Sequence, residues 1–172
     1  MKQILLVTAL FLVFIGKSQE TKNTTFTKNE LIKAAVEIMN STGTCALITQ
    51  DENGISRART MDPFPPEKDM IVWFGTNPMS RKVAQIKNDT KVTIYYRDKD
   101  DSGYVMIHGK AEIINDSVSK NKYWKDSWKS FYPNKKESYL LIKVTPIWME
   151  IVSSPRNITG SEETWEPPML FF

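Results

Sequence analysis

A chain of 172 residues, with 41% hydrophobic and 25% charged side chains, has the composition of an ordinary globular protein and is long enough for one domain with one core. Its formal net charge of +3 is too small, and its basic residues are too scattered, to indicate a nucleic-acid partner. The single cysteine, Cys45, excludes an internal disulfide bond, and its apolar neighbours predict a small buried side chain.

The chain begins with a segment typical of secretory signal peptides. After one lysine, an apolar run extends from Ile4 to Ile15 and is followed by the small residues Gly16 and Ser18. We expect residues 1–18 to be a signal peptide and residues 19–26 a connector, so that the protein is exported to the periplasm or secreted. The apolar run is short for a membrane span, and no stable membrane insertion is expected after cleavage. An uncleaved leader that tethers the protein to a membrane is the alternative.

The first predicted element of the domain is a helix. Thr27 and Glu30 have the spacing of a capping box, in which each residue satisfies a backbone N–H of the other at the start of a helix. Gly43 is a suitable end. The apolar positions between them recur at helical spacing and mark one face: Leu31, Ala34, Ala35, Ile38 and Met39.

A β-hairpin follows the helix. Two strand-like segments, 44–50 and 55–61, flank the turn signal Asn53-Gly54. Arg57 and Arg59 share one face of the second strand, because side chains alternate between faces. Two interpretations stay open for this pair, a solvated strand edge or an anion-binding pair, and a nearby cationic site would favour the second.

The segment 73–86 carries the strongest functional signal. An apolar strand over 70–76 is interrupted by Asn77-Pro78, because proline cannot continue a ladder, and a short helix then begins near Ser80. The first turn of this helix carries a hydroxyl group and two cations: Ser80, Arg81 and Lys82. A solvated basic turn is one interpretation. We favour an anion site, because a helix N-terminus also presents free backbone N–H groups and a partial positive charge.

The remainder is predicted to be mainly β. Strands are expected at four places: 91–96, 104–114, 139–145 and 147–152. The last two are either separate strands or one strand bent at Pro146. A helix capped by Asp116 should pass Trp128 and end before Pro133. The tail, residues 153–172, should be disordered unless its terminal aromatic residues dock.

These elements predict an α+β fold that is mainly β. Six or seven antiparallel strands with a few helices suggest a small closed barrel over residues 27–152. The third strand is apolar on both faces, since Val72 and Phe74 point to one side and Ile71 and Trp73 to the other. One face should fill the barrel. The other needs a helix or a second subunit to cover it, which favours a dimer.

Three segments resemble motifs of the flavin-binding split-barrel family of pyridoxamine 5′-phosphate oxidase and its general-stress-protein relatives. They are Arg59-Thr60-Met61, the run from Phe74-Gly75-Thr76-Asn77 through Ser80-Arg81-Lys82, and Tyr104 to Glu112. The resemblance implies a six- to seven-stranded antiparallel split β-barrel of the FMN-binding type. It also implies a homodimer that holds two FMN molecules in its interface.

The resemblance also implies roles for individual residues. The FMN phosphate would lie on Arg59, Arg81 and Lys82, with Ser80 assisting, and charge-assisted hydrogen bonds suit a dianion. The isoalloxazine would lie along Gly75 and Thr76, where glycine permits close approach. The remaining expected cofactor residues are Thr60, Met61, Trp73 and Tyr104. FAD or another phosphate-bearing flavin is the alternative cofactor.

The flavin carries the redox chemistry, so the sequence predicts neither a catalytic side chain nor a metal site. Two departures from the oxidase, Tyr104 in place of its glutamine and no matching C-terminal signature after Tyr139, argue against true pyridoxamine 5′-phosphate oxidase activity and favour the general-stress branch. We therefore expect an FMN-dependent oxidoreductase of undefined small-molecule substrate. The alternative is a non-catalytic flavin-binding or flavin-sequestering stress protein. Haem binding is a distant third, because His108 is the only histidine. Trp128 and the other late tryptophans are expected in the core or an interface, with Trp73 nearest the cofactor.

Overall fold

The computed structural model describes residues 26–134 and 137–172. The predicted signal peptide and all of the predicted connector except Phe26 lie outside these residues. Among the helices in the described ranges, none combines the length and the apolar character that a membrane crossing requires.

Helices and strands alternate irregularly along the chain. The α-helices are α1 (Lys28–Thr42), α2 (Arg81–Asn88) and α3 (Ser117–Lys122), and two 3₁₀ helices cover Asp126–Ser130 and Ser154–Arg156. The strands are β1 (Cys45–Gln50), β2 (Ser56–Met61), β3 (Val72–Thr76), β4 (Lys91–Arg97), β5 (Gly103–Ile114), β6 (Leu140–Ser153) and β7 (Met169–Phe171).

Helix α1 has the ends that its sequence predicts. Thr27 is the N-cap: its hydroxyl oxygen accepts from the Glu30 backbone N–H, and the Glu30 carboxylate accepts from the Thr27 backbone N–H at 2.8 Å. Gly43 closes the helix in the left-handed region, at φ 69°, where a glycine meets no steric penalty. The predicted apolar face is buried against the sheet.

The strands form one antiparallel sheet in the order β2-β1-β4-β5-β6-β3, and β7 pairs with the second half of β6. The sheet curls but does not close, so the expected closed barrel is wrong and the split form is observed. Within the described residues, only the isolated bridge between Pro63 and Phe74 joins the β2 end to the β3 end. Pro63, Pro65 and Pro66 follow β2, and residues without a backbone N–H cannot extend a ladder across that gap.

Strand β6 is one continuous strand that passes through Pro146. Of the two alternatives drawn from the sequence, the single strand is therefore confirmed. Its register with β5 shifts between His108 and Gly109, opposite Trp148 and Pro146. A β-bulge is where a proline fits inside a sheet, because the ladder hydrogen bond is already interrupted. Strand β3 pairs with the first half of this long strand, and β7 pairs with its second half.

Two hydrophobic clusters lie on opposite faces of β3. The barrel core contains Val72 and Phe74 and is covered by α1. The other cluster, named here the outer aromatic cluster, consists of buried Trp73, Tyr123, Trp128, Tyr139 and Leu141 with half-buried neighbours that include Phe64 and Ile71. The chain's own segment after α3 therefore covers the outer face of β3. Of the two covers that the sequence predicts for this face, a helix or a second subunit, the structure shows the first, because this segment contains a 3₁₀ helix. The dimer stays a prediction.

One further prediction differs from the structure. The single helix expected from Asp116 past Trp128 is interrupted: α3 ends at Lys122, and the 3₁₀ helix begins only at Asp126. The interruption turns the rings of Tyr123 and Trp128 into the same cluster, a case of packing overriding helical periodicity. In the tail, for which disorder was predicted unless the terminal aromatic residues dock, residues 169–171 do pair as β7 with Trp148–Glu150.

Candidate functional site

A pocket of about 430 Å³ lies at the split between the β2 and β3 ends of the sheet. Three parts of the chain line it: the end of β2, the turn from β3 into α2, and the 3₁₀ helix with the residues after it. Six of the residues predicted from the sequence are among its lining: Thr60, Met61, Gly75, Thr76, Ser80 and Lys82.

Lys82 is the central charge of the pocket. Its Nζ donates to Ser80 Oγ at 2.7 Å and to Thr76 Oγ1 at 3.2 Å. No carboxylate among residues 26–134 and 137–172 forms an ion pair with it. Burial, and then the charge of Arg59, lower the pKa of Lys82. A half-buried ammonium group with only hydroxyl partners is suited to an anionic ligand.

Ser80 supports this arrangement from the N-cap position of α2. Its side chain caps no backbone N–H of the helix and instead accepts a hydrogen bond from Lys82. Asn77 shapes the turn before it, because its side-chain oxygen accepts from the Met79 backbone N–H at 2.8 Å. The hydroxyl and the ammonium group are therefore presented together at the positive end of the helix.

Arg59 lies behind the pocket rather than on its surface. Its guanidinium donates to Thr49 Oγ1 at 2.7 Å, Gln85 Oε1 at 3.0 Å and the Leu47 carbonyl oxygen at 3.2 Å. These bonds tie β2 to β1 and to α2. Arg59 is not among the residues that line the pocket, although its charge acts on Lys82, and its predicted contact with a phosphate stays a prediction.

Arg81 is exposed at the first turn of α2 and does not line the pocket. Its charge reaches the site nonetheless: burial lowers the pKa of Arg59, and the neighbouring Arg81 guanidinium lowers it further. Three cations thus stand within electrostatic range of one another. Like charges in such proximity repel, and a bound anion would relieve that repulsion.

Gly75 lines the pocket, but the space that its missing side chain leaves is filled. A Cβ atom at Gly75 would come within 2.5 Å of Cη2 and Cζ3 of Trp128. The indole of Trp128 already occupies the space that a side chain at position 75 would fill, and the approach of a cofactor ring to the Gly75 backbone stays a prediction.

Two other predicted residues lie away from the pocket. Trp73 stacks on Tyr123 in the outer aromatic cluster, with ring centroids 4.2 Å apart. Tyr104 is on the outer face of the sheet, where its hydroxyl donates to Glu150 Oε1 at 2.9 Å; burial and that carboxylate raise its pKa to about 12. Arg57 is also outside, paired with Asp51 at 2.8 Å. The alternation of side chains along β2 places Arg57 and Arg59 on one face, but it does not show that Arg57 pairs with Asp51.

Sequence reasoning missed half of the pocket lining. The missed residues are Asp62, Asn77, Ser127, Trp128, Phe131 and Tyr132. Asp62 directly follows a predicted site residue, and Asn77 belongs to a quoted motif. Trp128, Phe131 and Tyr132 form what we name the aromatic wall, and their i, i+3, i+4 spacing marks a common face. That spacing shows that the three residues act together but not which surface they contact.

Comparison with known proteins gives a match to one protein family. The family described as pyridoxamine 5′-phosphate oxidase like matches residues 30–158 of the chain. No protein with curated function matches the sequence.

Several solved structures have a similar fold. General Stress Protein 26 from Bacillus anthracis str. Sterne is 25% identical with a TM-score of 0.67, over 83% of this chain and 99% of that one. A protein related to general stress protein 26 from Clostridium acetobutylicum is 21% identical with a TM-score of 0.69, over 86% of this chain and 97% of that one. A pyridoxamine 5′-phosphate oxidase-related, FMN-binding protein from Nostoc punctiforme is 15% identical with a TM-score of 0.61, over 87% and 98% of the two chains.

Proposed function

Because this chain belongs to the pyridoxamine 5′-phosphate oxidase-like family, we propose that it binds FMN in the pocket at the split and acts as an oxidoreductase on a small molecule. The family resemblance and the split-barrel fold expected from the motifs are both confirmed. A solved relative is described as FMN-binding, and two others as general stress protein 26 or its relative. FAD or another phosphate-bearing flavin is the alternative ligand.

The observation that carries this proposal is the half-buried ammonium group of Lys82, which has hydroxyl partners but no carboxylate partner among the described residues. Lys82 and Ser80 would hold the phosphate directly, with Thr76 beside them. Arg59 and Arg81 do not line the pocket but would add positive charge close to it. The ring end would extend past Gly75 towards the aromatic wall. Bound there, FMN would supply the electron-transfer chemistry, while the protein orients it and limits its exposure to water.

The test is to purify the mature protein and identify what it retains. We expect flavin absorbance bands, and FMN in a mass analysis of the released ligand. A folded protein that neither retains FMN nor quenches its fluorescence when FMN is added would contradict the proposal. Reduction by a series of donors and reoxidation by acceptors then separates an oxidoreductase from a flavin-sequestering protein, in which the flavin never cycles.

We further propose that the protein is a homodimer with the flavin at the interface. Phe131, at the mouth of the pocket, is 75% exposed, which is unusual for a large apolar side chain beside a polar site. A second copy would cover it. Sedimentation equilibrium should give twice the monomer mass, and a monomer at all concentrations would contradict this proposal.

Export remains a proposal that rests on the leader sequence. Cleavage after Ser18 would release a periplasmic or secreted protein, which acquires its flavin after transport if it crosses the membrane unfolded. N-terminal sequencing of the mature protein should begin at Gln19. Recovery of Met1 would instead favour the membrane-tethered alternative.

The affinity for FMN should depend on pH through Lys82. The Lys82 pKa is lowered by burial and Arg59 in the free protein, and a phosphate dianion would raise it again, so the complex holds more protons. Affinity should therefore fall as the pH rises through the lowered pKa, below the usual 10.5 of lysine. It should also fall below about pH 6, where the phosphate gains a proton.

Riboflavin is the control for this pH dependence, because it has the same ring system without the phosphate. The ratio of FMN affinity to riboflavin affinity, measured by fluorescence titration, removes any ionisation of the ring. A ratio that stays constant between pH 7 and the lysine range would show that Lys82 does not hold the phosphate.

A further inference from the structure

The indole of Trp128 packs directly against the backbone of Gly75. Trp128 is 7% exposed, and its six-membered ring lies where the side chain of residue 75 would stand. Any residue other than glycine would displace the indole. Because Gly75 has no side chain, β3 leaves room for the indole of Trp128 beside the pocket.

Asp62 fixes the other edge of the same indole. Trp128 Nε1 donates to Asp62 Oδ2 at 3.1 Å. The second carboxylate oxygen of Asp62 accepts from Lys125 Nζ, which also donates to the Pro63 carbonyl oxygen at 2.7 Å. Asp62 thus connects the end of β2 to the 3₁₀ helix, and it is itself part of the pocket lining.

Aromatic neighbours pack against the indole of Trp128 on several sides. Phe64 meets it edge-on, with centroids 5.5 Å apart and planes at 80°. The ring centroids of Tyr132 and Tyr139 lie 5.9 and 6.1 Å from that of Trp128. A buried indole with a satisfied N–H and packing on several sides is held in one orientation, so Trp128 is a fixed surface rather than a mobile cover.

The pocket therefore has two chemically different ends. Ser80 and Lys82 form a cationic, hydrogen-bonding end, and the aromatic wall forms the other, with Gly75 and Thr76 between them. A ligand that has both an anionic group and a planar ring fits this arrangement in one direction only.

We propose that Trp128 is the surface against which the ring of the bound ligand packs, and that Asp62 is the positioning residue that holds the indole. This inference rests on the proposed flavin function and adds the recognition of the ring to it. It predicts that the two ends of the pocket contribute separately: Trp128 to any isoalloxazine, and Lys82 only to a phosphorylated one.

The experiment compares Trp128→Phe with Trp124→Phe in the full-length mature protein. Trp124 belongs to the same cluster but does not line the pocket, so its replacement controls for loss of cluster packing. Trp128→Phe should weaken FMN and riboflavin binding by the same factor, roughly 3- to 10-fold, because an aromatic contact is reduced. It should also leave the bound flavin more fluorescent, because an indole no longer quenches it.

The role of Asp62 is tested by two substitutions that differ in one property. Asp62→Ala removes the acceptor for the indole N–H and should reproduce much of the Trp128→Phe effect on flavin fluorescence. Asp62→Asn keeps a carbonyl oxygen that can accept from Nε1 and should restore quenching towards the wild-type level. These variants keep the inference testable if Trp128→Phe does not fold.

The outcomes separate the two proposals. If the wild-type protein binds FMN and Trp128→Phe matches Trp124→Phe in affinity and quenching, the role of Trp128 is overturned and the flavin function stands. If the wild-type protein binds neither FMN nor riboflavin, both are overturned. Equal quenching in Asp62→Ala and wild type would overturn the positioning role alone.

Discussion

Replacing Lys82 by methionine should lower FMN affinity by about 10- to 100-fold while leaving the unliganded protein at least as stable as before. A hydrogen bond to a charged group contributes about 1.5–3 kcal/mol, which sets that range. Methionine preserves the aliphatic length of the side chain and removes the ammonium group. In the free protein this ammonium group is half-buried and is repelled by Arg59, and within the described part of the chain it is bonded only to Ser80 and Thr76. Its removal therefore eliminates a cost of folding rather than a favourable ion pair.

The control is Lys87→Met on the same helix. Lys87 is exposed in the last turn of α2, where its positive charge interacts favourably with the helix dipole, and it does not line the pocket. Isothermal titration should show near wild-type FMN affinity for Lys87→Met and a large loss for Lys82→Met, with riboflavin affinity unchanged in both. Equal FMN affinity in the two variants, both folded, would remove the basis for the phosphate site.

Replacing Gly75 by alanine should abolish flavin binding and lower the free energy of unfolding by about 1–3 kcal/mol. The added Cβ would lie 2.5 Å from two ring carbons of Trp128, far inside contact distance. The indole cannot shift cheaply, because Asp62 holds its N–H and Phe64 packs against it. A displaced Trp128 would enter the space that the ligand ring needs.

A double-mutant cycle tests this explanation. Phenylalanine lacks part of the indole, so alanine at position 75 should cost less in a Trp128→Phe background than in the wild type. Denaturant unfolding measures the coupling, and the far-UV circular dichroism of each variant reports whether the sheet is intact. Additive costs would show that residue 75 acts through something other than its contact with Trp128.

The sequence alone determined the local elements well, because their signals are carried by neighbouring residues. The capping box of Thr27 and Glu30 and the Asn53-Gly54 turn each act over a few positions, and the structure reproduces them. The same holds for the break at Asn77-Pro78, after which α2 begins at Arg81 and presents Ser80 and Lys82 to the pocket. Local backbone and hydrogen-bond preferences suffice for such features.

Only the tertiary structure decided which side chains share the pocket. Arg59 was predicted from the sequence, but its hydrogen bonds to Thr49 and Gln85, which are distant in sequence, are seen only in the structure. Trp128 is buried in a hydrophobic cluster as predicted, and it also lines the pocket because Gly75 admits its indole, whereas Trp73 stacks on Tyr123. Periodicity shows the face on which a side chain lies but not its partner from another strand. That choice depends on packing and hydrogen bonding between segments far apart in the chain, which a local pattern does not contain.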